Sequence, residues 1–461
     1  MNLEINDNKL KKTLHILLLI FPTMMLFCFT IYMGRNAFSW LYTPLTMLLI
    51  FLIAYFAPKL KIPYAPLLIF ITALILRLIC LKYWTINPLS DAKQGLEFSM
   101  QLANAKISDW NIVFSQSDYY YNVWPMHSPH KIYQTLALFM FGKNIYSIQL
   151  LNVMFSALSC VFTYLIAKAL FSEKAGLTAG FLMVFNPTAL LFSALLVNQH
   201  PSTTFCLAAL FVYLKKPCKS HWLNIIISAL LLTISQLLRP EMYIVLIAIF
   251  CYEIYLAAME NLDYRKILGF LAYCVVFFLL LLAVDKALMS AGWINNSILN
   301  SNLKYKIAVG QNQATEGRFL DSDYPLAGDE EALDRLLIER LSPPKETLIL
   351  MYKKLLFQFS SYNYWWLQAD KGGNLRQYIL NNAFDPVLQS YMMIIMLFAL
   401  LNTIFKRNKK ENALLHIIFI GFLISFALME VQQRYAYLFV YIFTIWGSNF
   451  MSASIERLKS E

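Results

Sequence analysis

Apolar runs long enough to cross a bilayer recur along most of this chain, at roughly 13–33, 38–56, 64–84, 144–170, 176–197, 201–214, 222–238, 241–258, 267–288, 389–405, 412–430 and 435–452. The pattern predicts about twelve transmembrane helices. Two long polar stretches, 85–143 and 289–388, interrupt it. The expected organisation is therefore an amino-terminal helix pair (1–63), a membrane core (64–288) carrying a first loop (85–143), a second loop region (289–388) and carboxy-terminal helices (389–461). Within the loops, "KIYQTLALFMFG" (131–142) is too short to span, and "ETLILMYKKLLFQFSSYNYWW" (346–366) mixes an apolar face with Lys353, Lys354 and aromatics. Both read as helices lying along the membrane surface.

Composition agrees with the pattern: 59% of residues are hydrophobic and 14% charged, with a mean hydropathy of +0.54. These values belong to an all-α polytopic membrane protein and not to a soluble domain. The first run, "TLHILLLIFPTMMLFCFTIYM", follows Lys9, Lys11 and Lys12 and shows no small-residue cleavage site, so it reads as an uncleaved helix. The seven cysteines are scattered without CxxC spacing, implying neither disulfides nor a zinc site.

The net charge of +11 is distributed in small clusters between apolar runs, with no basic stripe or nucleic-acid motif, which argues against a nucleic-acid partner. With a cytoplasmic amino terminus, Lys59/Lys61, Lys174, Lys215/Lys216/Lys219, Arg265/Lys266, Lys406/Arg407/Lys409/Lys410 and Arg457/Lys459 all fall on the cytoplasmic side. Both termini are then cytoplasmic, and both long loops face outward. No Walker loop, GxGxxG or fixed-period repeat occurs. An enzyme working on the outer face of a plasma membrane would need a donor already carried across on a lipid.

Several stretches carry a resemblance in a consistent order: "ILRLICLKYWTINPLSDAKQGLEFSMQLA", "WPMHSPHKIYQ", "FNPTALLFSALLVNQHPSTTFCLAALFVYL", "QLLRPE", "YKIAVGQNQATEGRFLDSDY" and "MEVQQRYAYLFVY". Together they resemble the GT-C superfamily of polyprenyl-phosphate-sugar-dependent glycosyltransferases. The similarity is to bacterial members related to protein O-mannosyltransferases (glycosyltransferase family 39) and the lipid A aminoarabinose transferase. It spans about residues 64 to 452, leaving the first two helices as an addition. It implies an inverting sugar transfer from a polyprenyl phosphate, undecaprenyl phosphate in a bacterium, to a cell-envelope glycan, teichoic acid, lipid or protein. One departure stands out: where family members often carry an acidic residue, this chain has Asn198 and Gln199.

Such a transfer needs a base for the incoming hydroxyl and cations for the departing phosphate. The resemblance makes Asp91 the catalytic carboxylate, although "SDAKQGLEF" would equally begin a helix capped by its polar first turn. Arg434, in the RY element, is the first choice for the lipid phosphate because a guanidinium matches phosphate oxygens with two parallel bonds. Arg77, placed in the outer half of its span, and Arg239 are further candidates; snorkelling of Arg77 and ion pairs of Arg239 with Glu241 and Arg434 with Glu430 are the plainer alternatives. Lys304, Lys306 and Arg318 read as surface charges.

For His127 and His130, in "HSPH", the functional reading is a contact to acceptor or donor and the plainer one is a pair of interfacial histidines; Glu430 is a further candidate contact. With Asp118 nearby a divalent metal stays an open alternative, but no third ligand is fixed by spacing, and no cofactor is demanded by any motif. The runs "DYYYNVW" (118–124) and "YNYWW" (362–366) fit interfacial anchoring first and sugar stacking second. Two other classes share the general layout. A lipid-linked glycan flippase or transporter would place ionisable groups near the midplane, whereas a polysaccharide polymerase or ligase would rely on loop arginines.

Overall fold

The computed structural model describes residues 7–60, 63–83, 88–116, 121, 123–259, 264–300, 302–320, 323, 329–362, 384–405 and 412–460, and among these every regular element is helical. Three helices, α1 (Asp7–Ala37), α2 (Tyr42–Phe56) and α3 (Ala65–Tyr83), lead into the first polar stretch. That stretch folds as α4 (Ser90–Asn104), α5 (Trp110–Gln116) and α6 (Ser128–Phe141). The core continues with α7 (Ile145–Leu170), α8 (Glu173–Val184), α9 (Pro187–Phe192), α10 (Gln199–Lys215), α11 (His221–Leu238), α12 (Tyr243–Met259) and α13 (Tyr264–Ser290). The second polar stretch supplies α14 (Leu303–Gly310), α15 (Glu330–Leu341) and α16 (Pro344–Gln358), and the chain closes with α17 (Asp385–Phe405), α18 (Asn412–Leu428) and α19 (Tyr437–Ser460).

Among the described residues, eight helices are long and apolar enough to cross a membrane, and α12 and α18 are shorter apolar helices. Two expected spans differ. The run 176–197 is broken, because Asn186 caps α9 by accepting the Ala189 N–H at 3.0 Å and Pro187 takes its first position. A missing N–H costs nothing there, but it ends α8. The run 201–214 becomes α10, which is buried over most of its length.

α19 holds the middle of the bundle, packed on α17, α8 and α7, with Tyr437, Phe439, Tyr441 and Trp446 fully buried. Trp446 donates to Asn412 Oδ1 at 2.8 Å and stacks on His416, so the one polar atom of the indole is satisfied. Around it, α1, α2, α3 and α13 present Leu17, Phe27, Phe51, Leu67 and Leu279 outward, the surface a hydrocarbon environment would cover.

The two polar stretches share small cores of their own. Trp124 and Met126 from the first pack with Tyr305, Val309 and Leu333 from the second, and Phe98, Trp110, Phe114 and Tyr121 take in Trp293. Tyr121 and Trp124 are therefore buried between the loops and do not act as membrane anchors; Tyr362 is buried as well. Asp118 and residues 363–366 lie outside the described residues. α16 keeps the expected two-faced character, exposing Leu348 and Tyr352, but Lys354 points inward and is 1% exposed.

Candidate active site

The site is assembled at the ends of helices. Arg239 caps α11 because Pro240 follows it: the residue before a proline avoids the helical region, and Arg239 is extended (φ −148°, ψ 112°) while its N–H still bonds Ser235 O at 2.9 Å. Its side chain leaves the helix to meet Glu241 and, at 3.2 Å, Asn198 Oδ1. Asn198 thus serves Arg239 with a neutral amide oxygen.

Arg434 lies in the turn Gln433–Ala436 that starts α19. Both guanidinium groups flank Tyr435, their central carbons 5.0 Å (Arg239) and 5.9 Å (Arg434) from the ring centroid, within the range of cation–π attraction. Arg434 Nε donates to Gln432 Oε1 at 2.8 Å, and the residue makes no ion pair among the described residues. Its expected partner Glu430 is taken by Lys306, at 2.8 Å. Lys306 is therefore no surface charge; it stands 5.1 Å over the Trp124 ring and pairs with a carboxylate only 2% exposed.

The segment bearing Glu430 is stitched to the second loop. Glu430 N–H bonds Lys306 O and Val431 N–H bonds Gly317 O, Gln358 donates to Gln432 O at 2.6 Å, and Lys354 donates to Gly310 O and Ala427 O. Gly310 is required by this closeness, since a Cβ there would stand 2.2 Å from the Met429 carbonyl carbon.

His127 closes the turn Pro125–His127, and His130 and Lys131 follow in the first turn of α6. Burial pushes His127 down to about 3, and the charges of Lys306, Lys131, Arg239 and Arg434 push the same way. Burial, then Lys131, His127 and Arg239, hold His130 well below the usual histidine range. Both imidazoles are neutral at physiological pH. Burial also lowers Lys131 to about 8, against the opposing pull of Asp91. For Glu430 burial works to raise the carboxyl, but Lys306, Gln432 and Arg434 outweigh it and keep the group below its ordinary value.

Asp91 occupies the first turn of α4 and is exposed. One turn on, Gly95 leaves the space that the Lys131 side chain fills, and the amine reaches Gln134 Oε1 at 3.3 Å. Gln134 is held in turn by Ser99, at 3.2 Å. The site thus gathers four cations around a neutral histidine pair: Arg239 and Lys306 are already paired with Glu241 and Glu430, while Lys131 and Arg434 make no ion pair among the described residues, and Asp91 stands at one margin. This is an arrangement that accepts an anion.

Arg77 stands apart from that arrangement. It is fully buried between α3, α7 and α8, with Nε donating to Ser156 (2.8 Å), Nη1 to Ala73 O (3.2 Å) and Nη2 to Cys160 Sγ (3.2 Å) and Met183 O (3.3 Å). The fork is consumed by the bundle, so neither snorkelling nor phosphate binding describes it. Lys131 and Tyr435 are candidate site residues that the sequence does not single out, and Lys306 is one that it presents as a surface charge. Lys306 lay inside the quoted "YKIAVGQ" motif, whereas nothing in the chain marks Lys131 as facing Asp91. Among the described residues no group of three or more His, Cys, Asp or Glu is placed to hold a metal ion.

A family model described as dolichyl-phosphate-mannose-protein mannosyltransferase matches residues 128–285, from the start of α6 into α13. The match includes His130, Lys131 and Arg239. The solved structure of the Archaeoglobus fulgidus oligosaccharyltransferase AglB, in complex with an inhibitory peptide and a dolichol-phosphate, aligns with 14% identity and a TM-score of 0.51. The alignment covers 86% of this chain and 51% of that one. The apo form of the Archaeoglobus fulgidus oligosaccharyltransferase gives 14% identity and a TM-score of 0.51, covering 87% and 52%. The chain spans about half the length of the solved structures it matches. No curated protein sequence matches it. The chain is a polytopic membrane protein, all-α among the described residues, and it shares the fold of the part of these solved structures that it covers.

Proposed function

We propose that this protein is a membrane glycosyltransferase that moves a sugar from a polyprenyl-phosphate donor to a hydroxyl of a cell-envelope acceptor on the extracytoplasmic face. The observation that carries the reading is that the guanidiniums of Arg239 and Arg434 lie 5.0 and 5.9 Å from the same ring, Tyr435, with Arg434 free of any ion pair among the described residues. A phosphate diester departing as a monoester gains negative charge, and fixed cations at that point lower the barrier. The family model's donor and the dolichol-phosphate in the AglB complex are of the same chemical kind.

In this reading Arg434 and Arg239 hold the phosphate, both guanidiniums lying near the Tyr435 ring. Asp91 takes the proton of the acceptor hydroxyl as its oxygen attacks the anomeric carbon; the bond from that carbon to the phosphate oxygen breaks, and polyprenyl phosphate leaves. His127 and His130, being neutral, offer hydrogen bonds to sugar or acceptor without adding charge. The charge distribution of the sequence supports cytoplasmic termini and an outward site.

The test compares purified wild type with Asp91→Asn for release of free polyprenyl phosphate from a panel of polyprenyl-phosphate sugars, with envelope extract as acceptor. Loss of about 10²-fold or more in the variant, with donor binding kept, supports Asp91 as the base. Equal release removes Asp91 from that role, and donor crossing the bilayer uncleaved replaces the transferase reading with a transporter.

A further inference from the structure

A second site lies at the other end of the bundle. α11 is 18 residues long, so its first turn stands about 27 Å from Arg239, close to the thickness of a bilayer's hydrocarbon core. At that end a cavity of about 270 Å³ opens between the last turns of α10 and α12 and the first turns of α11 and α13, lined by Tyr213, Lys216, His221, Ile249, Glu253 and Phe270 among others. None of these residues belongs to the candidate active site.

The chemistry of the lining is specific. Glu253 Oε1 accepts the Tyr213 hydroxyl, while Oε2 is buried and has no hydrogen-bond partner. A buried carboxylate oxygen without a donor is costly, so the cavity asks for an N–H or O–H from its occupant. Lys216 and His221 line the same cavity, and Lys215, Lys216 and Lys219 with the 45%-exposed Trp222 mark this end as headgroup level. Ile249 and Phe270 offer apolar wall to a chain. An occupant that presents an ammonium to Glu253, a phosphate to Lys216 and His221, and hydrocarbon to the rest is a zwitterionic phospholipid.

We propose that this cavity binds a phospholipid whose headgroup carries a primary ammonium, in the leaflet opposite the candidate active site. Trimethylated headgroups have no N–H to give Oε2, and anionic glycerol headgroups can offer it only a neutral O–H, a weaker donor to a carboxylate than an ammonium. Binding there ties α10, α11, α12 and α13 together independently of any transfer reaction, so the test does not depend on the proposed activity.

The full chain in detergent is equilibrated with equal amounts of phosphatidylethanolamine, phosphatidylcholine and phosphatidylglycerol, and retained lipid is counted by native mass spectrometry. Wild type is expected to retain phosphatidylethanolamine over phosphatidylcholine by about tenfold, the value of one charge-assisted hydrogen bond. Glu253→Gln is expected to bring the two to parity. Ile249→Trp, which fills the cavity from its apolar wall, is expected to lower retention of phosphatidylethanolamine while leaving the acidic group in place, and it decides the matter should Glu253→Gln not fold. Equal retention of phosphatidylcholine, preference for phosphatidylglycerol, or an unchanged phosphatidylethanolamine preference in both variants overturns the proposal.

Discussion

The amine of Lys131 occupies the place where a side chain on Gly95 would stand: a Cβ there would lie 1.9 Å from Nζ and 2.9 Å from Cε. A glycine in the second turn of α4 therefore sets the position of a cation next to Asp91. Alanine at 95 would favour the helix by about 1 kcal/mol, since glycine is a poor helix former, while forcing only the flexible end of Lys131 to move. We expect Gly95→Ala to keep its thermal midpoint within a few degrees and to lose about tenfold in donor turnover. Unchanged turnover would show that the place of the Lys131 amine is immaterial.

The pH profile of that turnover should lack a histidine inflection. His127 is pushed down to about 3 and His130 lies well below the ordinary range, so neither changes charge between pH 5 and 7.5. Within the cation cluster the group brought near neutrality is Lys131, at about 8. As pH rises through 8 the cluster loses one positive charge, and the donor KM is expected to increase. Lys131→Met should remove that step. A break near pH 6.5 in the wild-type profile would contradict the neutral histidine pair.

Arg77 and Arg434 should fail in opposite ways. Arg77→Met leaves Ser156 and the Met183 carbonyl without their buried donor, a loss on the order of 3 kcal/mol. Lower yield and a lower thermal midpoint are expected. Arg434→Ala should leave the midpoint nearly unchanged and raise the donor KM tenfold or more, with Arg434→Lys recovering only part because the planar fork is lost. The two thermal melts and the two KM values distinguish a structural from a phosphate-binding arginine.

Lys354 gives stability a pH dependence with a definite sign. Burial lowers its amine from 10.5 to about 7, with Glu430 opposing. Between pH 7 and 10.5 the unfolded chain binds a proton that the folded chain does not. Stability therefore rises with pH across that window. Lys354→Met should flatten this rise in thermal melts at pH 7, 8 and 9; a parallel slope in the variant would assign the dependence to other groups.

Removing Glu430 should loosen the second loop. Glu430→Ala strips the carboxylate from Lys306 and from Gln432, costing on the order of 2 kcal/mol once the partial exposure of Lys306 is allowed for. Limited proteolysis between residues 302 and 320 should accelerate, and restoring the charge pair in the swapped variant Lys306→Glu/Glu430→Lys should slow it again.

The long apolar runs determined by themselves that the chain is a helical membrane protein, because 20 uninterrupted apolar residues have few other stable states. Asp91, Arg239 and Arg434 stand out in the sequence as candidates because their surrounding motifs fall in a recognisable order. What only the tertiary structure decided is which charges meet. Arg77 looked available because a span's sequence does not say which face is buried; packing against α7 and α8 spent its hydrogen bonds inside the bundle. Lys306 and Glu430 are 124 positions apart and form one pair, and Lys131 comes under the charge of Asp91 only because two helices of the first loop pack closely at Gly95. The break at Asn186 was hidden within an apolar run, since hydropathy averages over a cap. Hydrophobicity is a property of segments and can be read locally. A charged site depends on directions and distances between segments, which are set only when the helices pack.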